Sequence, residues 1–141
     1  MTRDELEQLV RQVLQEQLRG PQVVSLDLPQ VTVSEQDRLD TGNPQHRVWT
    51  KDVLTLAQSP RLGAGIMVME RTSFPWRLDY DEIDYVIEGA LTVTTSTGSA
   101  TALPGQAILI PKGSEITFCA PERARFLYVT YPADWQSAKG Q

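Results

Sequence analysis

The stretch Arg77-Leu-Asp-Tyr-Asp-Glu82-Ile-Asp84-Tyr85 gathers the side chains with the greatest chemical capacity in this sequence. Glu82 and Asp84 stand two apart, so on an extended strand they share one face, while Ile83, Tyr85 and Ile87 share the other. Two carboxylates brought together out of water repel, and one pKa rises unless a cation such as Arg77 lies between them. A pair of this kind suits general acid–base work, or an oxygen-only Mg²⁺ site. Asp79, Tyr80 and Asp81 crowd the entry to the same segment. The hydropathy pattern taken alone favours the opposite arrangement, with Ile83, Tyr85 and Ile87 packed inward and the acids in water.

Other reactive side chains are few. The one histidine, His46, lies in an upstream loop, and the one cysteine, Cys119, reads as a small apolar residue in a strand. The sequence therefore offers no intramolecular disulfide and no cysteine zinc site. Iron and zinc favour imidazole nitrogen, which this sequence scarcely supplies. It also has no G-x-x-x-x-G-K-[ST] loop to cradle phosphates.

The elements that must position these residues follow from size and pattern. A chain of 141 residues suits one domain, and 40% hydrophobic with 22% charged residues is ordinary globular composition. The net charge of −5 argues against nucleic acid or an anionic membrane as the main partner. No run approaches the roughly 18 apolar residues that a membrane-crossing helix needs. Met1-Thr-Arg-Asp-Glu-Leu6 carries acids at once and no apolar core, so it is not read as a secretory signal, and the expected setting is cytoplasmic.

Residues 1–19 form the first unit. Leu6, Leu9, Val10, Val13, Leu14 and Leu18 make one helical stripe across 3–19, with Asp4, Gln8, Arg11, Gln12, Gln15 and Arg19 opposite. Thr2 and Glu5 fit a capping box, and Gly20-Pro21 ends the helix. A helix this short needs a partner surface: its own barrel, a second copy, or another protein. Residues 20–48, with Pro21, Pro29, Gly42 and Pro44, read as linker plus irregular or edge strands. Residues 49–141 form the third unit. Within it, strands are expected near 52–56, 63–71, 82–88, 90–96, 106–110, 115–119 and 125–131, with turns at Gly89, Ser96–Ser99, Pro104-Gly105, Pro111–Gly113 and Pro121-Glu122. Short strands at that spacing mean a sandwich or a closed barrel.

Two segments narrow the choice. In Phe74-Pro-Trp-Arg-Leu-Asp-Tyr-Asp-Glu82-Ile-Asp-Tyr-Val-Ile-Glu-Gly89 a Glu is followed seven residues later by Gly. In Gly105-Gln-Ala-Ile-Leu-Ile-Pro111-Lys-Gly113 five residues separate a Gly from Pro-x-Gly. Together they resemble the paired motifs of cupins, which implies an all-β jelly-roll barrel with Glu82, and Asp84 beside it, aimed at the interior. The usual cupin histidines fall here around Trp76 and Leu78 and on Ile116, so of the four customary ligands only Glu82 is present.

The likeness extends further. Leu62-Gly-Ala-Gly-Ile-Met67, Phe74-Pro-Trp76 with Tyr80-Asp-Glu-Ile-Asp84, Ile110-Pro-Lys-Gly-Ser114, Phe126-Leu-Tyr-Val129 and Trp135-Gln-Ser137 resemble the EutQ family of ethanolamine-utilisation proteins. That resemblance implies a protein of the bacterial cytoplasm, in or on a microcompartment. Residues 2–18 are similar to encapsulation peptides and would meet shell or cargo proteins. It implies a homodimer, and room for a small-molecule ligand in the barrel. It also implies acetate kinase activity, converting ATP and acetate to ADP and acetyl phosphate; the alternative is a non-catalytic module linking shell and cargo. For the kinase, Glu82, Asp84, Tyr80 and Arg77 are the catalytic candidates. Trp76, Asp79, Tyr85 and Lys112 are the substrate-binding ones, with Arg77 or Lys112 as phosphate clamp. No tightly bound cofactor is expected; Mg²⁺ entering with ATP would be held by Glu82 and Asp79.

Overall fold

A computed structural model describes residues 1–18 and 20–134 of the protein. Arg19 and the Trp135-Gln-Ser137 string fall outside those residues. Helix α1 spans Arg3–Leu18. Its capping box forms as the sequence predicts: the Thr2 amide donates to Glu5 Oε2 at 3.0 Å, and the Glu5 amide donates to Thr2 Oγ1 at 3.1 Å. The apolar stripe finds no cover, since Leu6, Leu9, Val10, Val13 and Leu14 are all about half exposed. Its length and composition rule it out as a membrane crossing, and no helix among the described residues is long and apolar enough for one.

Seven antiparallel strands follow: β1 (Val48–Asp52), β2 (Gly63–Arg77), β3 (Asp81–Gly89), β4 (Leu91–Thr95), β5 (Gly98–Ala102), β6 (Ala107–Ile110) and β7 (Glu115–Tyr131). The architecture rests on β2 and β7, which pair along almost their whole lengths, from Gly63 with Thr130 to Arg77 with Glu115. Their register breaks once, where Arg71 on β2 faces Pro121-Glu122 on β7. Pro121 has no N–H to give a ladder, so it suits a break, and Arg71 takes a left-handed φ of 42° there. Both strands bend at this point and join two sheets. On one side β1, β2, β7, β3 and β6 lie in that order; on the other, β4 pairs with the first half of β7 and carries β5. The core between them centres on Phe74, Phe118 and Phe126, each essentially fully buried, where each side chain contributes about 2–3 kcal/mol of apolar burial.

Four sequence expectations shift, one being that the strand expected at 63–71 runs on to Arg77, because residues 72–77 continue its pairing with β7. The first strand of the barrel is Val48–Asp52 rather than 52–56, because Val48 and Trp49 supply the buried positions. Gly98–Ala102 is a strand the sequence concealed, small residues of low strand propensity held by pairing with β4. Pro121-Glu122 is the corner of one long strand, not a turn between two.

The segment read as a linker includes, over residues 28–33, a strap on the outer sheet face. Leu28, Val31 and Val33 pack on Trp49, Ile66 and Val68. The Arg125 guanidinium anchors them, donating to the carbonyls of Leu28 at 2.9 Å and Val31 at 2.8 Å. Arg38 and Arg47 each lie over the Trp49 ring, with guanidinium carbons 5.2 and 5.1 Å from its centroid.

Candidate functional site

β3 sits between β7 and β6, and its alternation runs against hydropathy. Tyr80, Glu82, Asp84 and Val86 are buried, while Ile83 and Tyr85 are 48% and 45% exposed. Glu82 pairs across to Thr130 on β7 and Ile110 on β6; Asp84 pairs to Tyr128 and Ile108. Since the neighbours on both sides point inward at those positions, the two carboxyls are carried inward with them.

Glu82 borders a cavity of about 510 Å³ inside the barrel. Phe74, Trp76, Tyr80, Phe118 and Tyr128 supply aromatic walls, and Thr50, Asp52, Glu82 and Thr130 supply polar groups. The loop from Val53 to Leu62, with Ala133 and Asp134, frames one end. Asp84 lies beneath Glu82, fully buried, and does not reach the wall.

Hydrogen bonds set the aromatic groups. The Trp76 indole Nε1–H donates to the Tyr80 hydroxyl at 3.0 Å, and the Tyr128 hydroxyl donates to Asp52 Oδ1 at 2.6 Å. Two glycines make room for the second pair's strand. A Cβ on Gly65 would overlap the Tyr128 hydroxyl, and one on Gly63 would crowd Thr130 Oγ1. The Leu62-Gly-Ala-Gly string thus clears space for the cavity-wall residues of β7.

Electrostatics are unusual at the acid pair. Burial pushes the Glu82 pKa up to about 7, partly opposed by its hydrogen bond with Asp84. Burial raises Asp84 well above the carboxylate range, and the charge of Glu82 adds to it. Apart from the contact between the two carboxyls, Glu82 Oε2 and both Asp84 oxygens have no hydrogen-bond partner among the described residues. Burial also raises the Tyr80 phenol, as does the charge of Glu82, and it raises Tyr128, aided by Asp52. Both tyrosines stay protonated.

Of the residues singled out from sequence, the structure brings Trp76, Tyr80 and Glu82 together at the cavity, with Asp84 behind them. The others lie elsewhere. Arg77 points outward, bound to Asp79 at 3.1 Å and Glu115 at 2.8 Å, and all three are exposed. Tyr85 is on the outer face. Lys112 sits exposed in the turn after β6, its backbone N–H donating to Asp81 Oδ1 at 2.8 Å. Neither cation expected to clamp phosphate reaches the cavity, because each follows the outward phase of its strand or turn.

Sequence reasoning overlooked Asp52, Tyr128 and Thr130 as wall residues. Tyr128 and Thr130 had a signal, since Phe126-Leu-Tyr-Val-Thr130 alternates with Phe126 inward. Asp52 had none, because its inward placement depends on pairing with Gly65.

The donor set does not fit a nitrogen-ligated cupin metal. Trp76, Leu78 and Ile116 occupy the positions of the customary histidines, and Leu78 and Ile116 are buried in the core. His46 is engaged elsewhere, its Nδ1 2.6 Å from Thr41 Oγ1 and its ring against Phe74. Among the described residues no group of three His, Cys, Asp or Glu side chains converges as a metal would require.

Comparison with known proteins identifies the family and the fold. Residues 1–137 match the family model described as ethanolamine utilisation protein EutQ. A Clostridioides difficile relative named acetate kinase EutQ is 50% identical, over 94% of this chain and 92% of its own length. A Salmonella typhimurium relative of the same name is 44% identical over 71% of this chain, which spans only 43% of that protein. The solved structure of the Clostridium difficile EutQ protein superposes with a TM-score of 0.79 at 57% identity, covering 82% of this chain and 84% of that one. The cupin domain of Schizosaccharomyces pombe Cnp3 shares the fold at a TM-score of 0.60 and 14% identity, covering 84% and 81%. The barrel is therefore a cupin jelly roll.

Proposed function

This chain belongs to the EutQ family of ethanolamine utilisation proteins, and we propose that its barrel cavity binds a small polar molecule of that process. One observation carries the reading: a 510 Å³ space inside the barrel is lined by the buried Glu82, whose carboxyl is met among the described residues only by that of Asp84. A buried polar group without a partner costs stability, and such groups are retained where a ligand completes them. The test is a thermal-shift screen of small carboxylates, alcohols, ammonium compounds and Mg-ATP on wild type and Glu82→Gln. At least one compound should stabilise the wild type and lose its effect in the variant. A screen with no such compound overturns the reading.

The name carried by the relatives favours a second reading, acetate kinase activity. The 50% identity over nearly the full length of the Clostridioides difficile relative supports it. In that reading Mg²⁺ enters with ATP, and the phosphates are met by groups outside the cavity wall, which holds no Lys, Arg or His among the described residues. Acetyl phosphate formed by wild type and lost in Glu82→Gln would bring this reading to the front; formation that survives the change would point to a contaminating kinase.

Association with a microcompartment is the third part of the proposal, with α1 as the docking element for shell or cargo proteins. Its exposed apolar stripe supports this, as does its separation from the barrel core. Deleting residues 1–19 should abolish co-localisation with shells and change barrel stability by less than about 1 kcal/mol, because those side chains bury little area in the single chain. A loss of several kcal/mol would mean that the stripe is part of a core. The outer face bearing Ile83, Tyr85, Leu109 and Tyr131, each 45–65% exposed, supports a homodimer formed through the barrel wall.

A further inference from the structure

We propose that the barrel cavity takes a small organic ammonium ion, its nitrogen seated on the Glu82 carboxylate and its carbon chain against the aromatic wall. This rests on the reading of the cavity as a binding site and adds the charge and chemical class of the occupant.

The first support is the set of charges that line the space. Asp52, Glu82 and Asp134 are acidic, and no basic side chain among the described residues joins them. A carboxylate or phosphate entering would find no positive partner in a region where water screens poorly. The second is Glu82 itself, only 5% exposed and on the wall, its carboxyl met among the described residues only by that of Asp84. An ionised carboxyl held there is completed by a cation that also donates hydrogen bonds, and an ammonium group brings both. The third is the wall. Trp76, Tyr80, Tyr128 and Phe118 present π systems, which attract a cation and accept apolar carbon. A bare metal ion would find too few donors here, and a neutral alcohol would leave the charge of Glu82 unmatched.

Proton linkage separates a cation from an anion. The groups facing Glu82 are Asp84 and Tyr80 on β3, Tyr128 and Thr130 on β7, and Trp76 on β2, with Asp52 on β1 beyond Tyr128. None of these is basic, and both tyrosines are held protonated. An ammonium ion pairs with ionised Glu82, so it should bind more tightly as pH rises through about 7, releasing a proton. An anion would show the reverse.

The experiment is calorimetry on the full chain with three probes of one size: ethanolamine, ethylene glycol and glycolate, each at pH 6 and pH 8. Ethanolamine should bind at least about tenfold more tightly than ethylene glycol, gain about tenfold between pH 6 and pH 8, and leave glycolate without detectable heat. Glu82→Gln should weaken ethanolamine at least about tenfold. Glu115→Gln, on the outer surface with Arg77, should change nothing. The isosteric Gln removes an unpaired buried charge, so the variant keeps its fold; Tyr80→Phe gives a second, smaller loss. Ethylene glycol or glycolate binding as tightly as ethanolamine would overturn the ammonium class and leave the cavity as a binding site. Silence from all three would overturn the ammonium proposal, and silence in the thermal-shift screen as well would remove the binding reading.

Discussion

Glu82→Gln is expected to raise stability at pH 8 and leave it nearly unchanged at pH 4. Glu82 is buried, and burial lifts its pKa from 4.5 to about 7 in the folded chain. The folded state thus holds the proton more tightly than the unfolded state does. Its advantage is fully present below pH 4.5 and is lost as pH rises through about 7. Ionising Glu82 within the fold then costs on the order of 3 kcal/mol, which Gln avoids. Asp84, raised for the same reason, drives stability in the same direction. Urea denaturation of both proteins at the two pH values gives the comparison, with unchanged m-values as the condition for reading it as stability. Equal gains at pH 4 and pH 8 would contradict the placement of the carboxyl. A substitution that stabilises the fold while abolishing ligand binding is the mark of a site kept for function against stability.

Gly89→Ala is expected to cost about 3 kcal/mol or more. Gly89 has φ of 79°, which a side chain adopts only under strain, and a Cβ there would overlap the backbone carbonyl oxygen of Arg123. That oxygen accepts the Ala90 N–H at 3.0 Å, so it cannot retreat without breaking the start of β4 away from β7. Gly113→Ala provides the control. Gly113 also has positive φ, 91°, but faces open space, so its cost of about 1 kcal/mol measures backbone strain alone. Equal costs for the two substitutions would show that the turn after β3 relaxes around the added methyl.

Gly89 also shows what could be read in the sequence and why. Its spacing from Glu82, with the Gly105 to Gly113 string, carries the resemblance to cupin motifs, in which each strand enters a tight glycine turn. The capping box at Thr2 and Glu5 was legible for the same reason: local geometry follows from local sequence. Glu82 and Asp84 were legible as a same-face pair, but hydropathy alone turned them outward. Their inward phase is set by β6 and β7, whose positions come from residues 107–110 and 115–131. Arg77 and Lys112 show the limit more sharply. Both lie within a few residues of the acid pair or its partner motif, yet one points outward on β2 and the other occupies an exposed turn. Sequence proximity could not reveal that, nor that Asp52 and Tyr128, 76 residues apart, would meet at 2.6 Å.

The cavity also clarifies what separates this protein from metal cupins. With Trp76, Leu78 and Ile116 where imidazoles would stand, the interior exchanges metal-binding nitrogen for aromatic and aliphatic surface. What persists is one carboxyl at the wall with another beneath it.

The most direct test of that arrangement is a crystal structure of the protein at pH 8 with ethanolamine. The account predicts ligand density inside the barrel, with its nitrogen about 3 Å from the Glu82 carboxylate and its carbons against Trp76 and Phe118. Density only on the outer surface, or a barrel filled by side chains with Glu82 turned away, would contradict it.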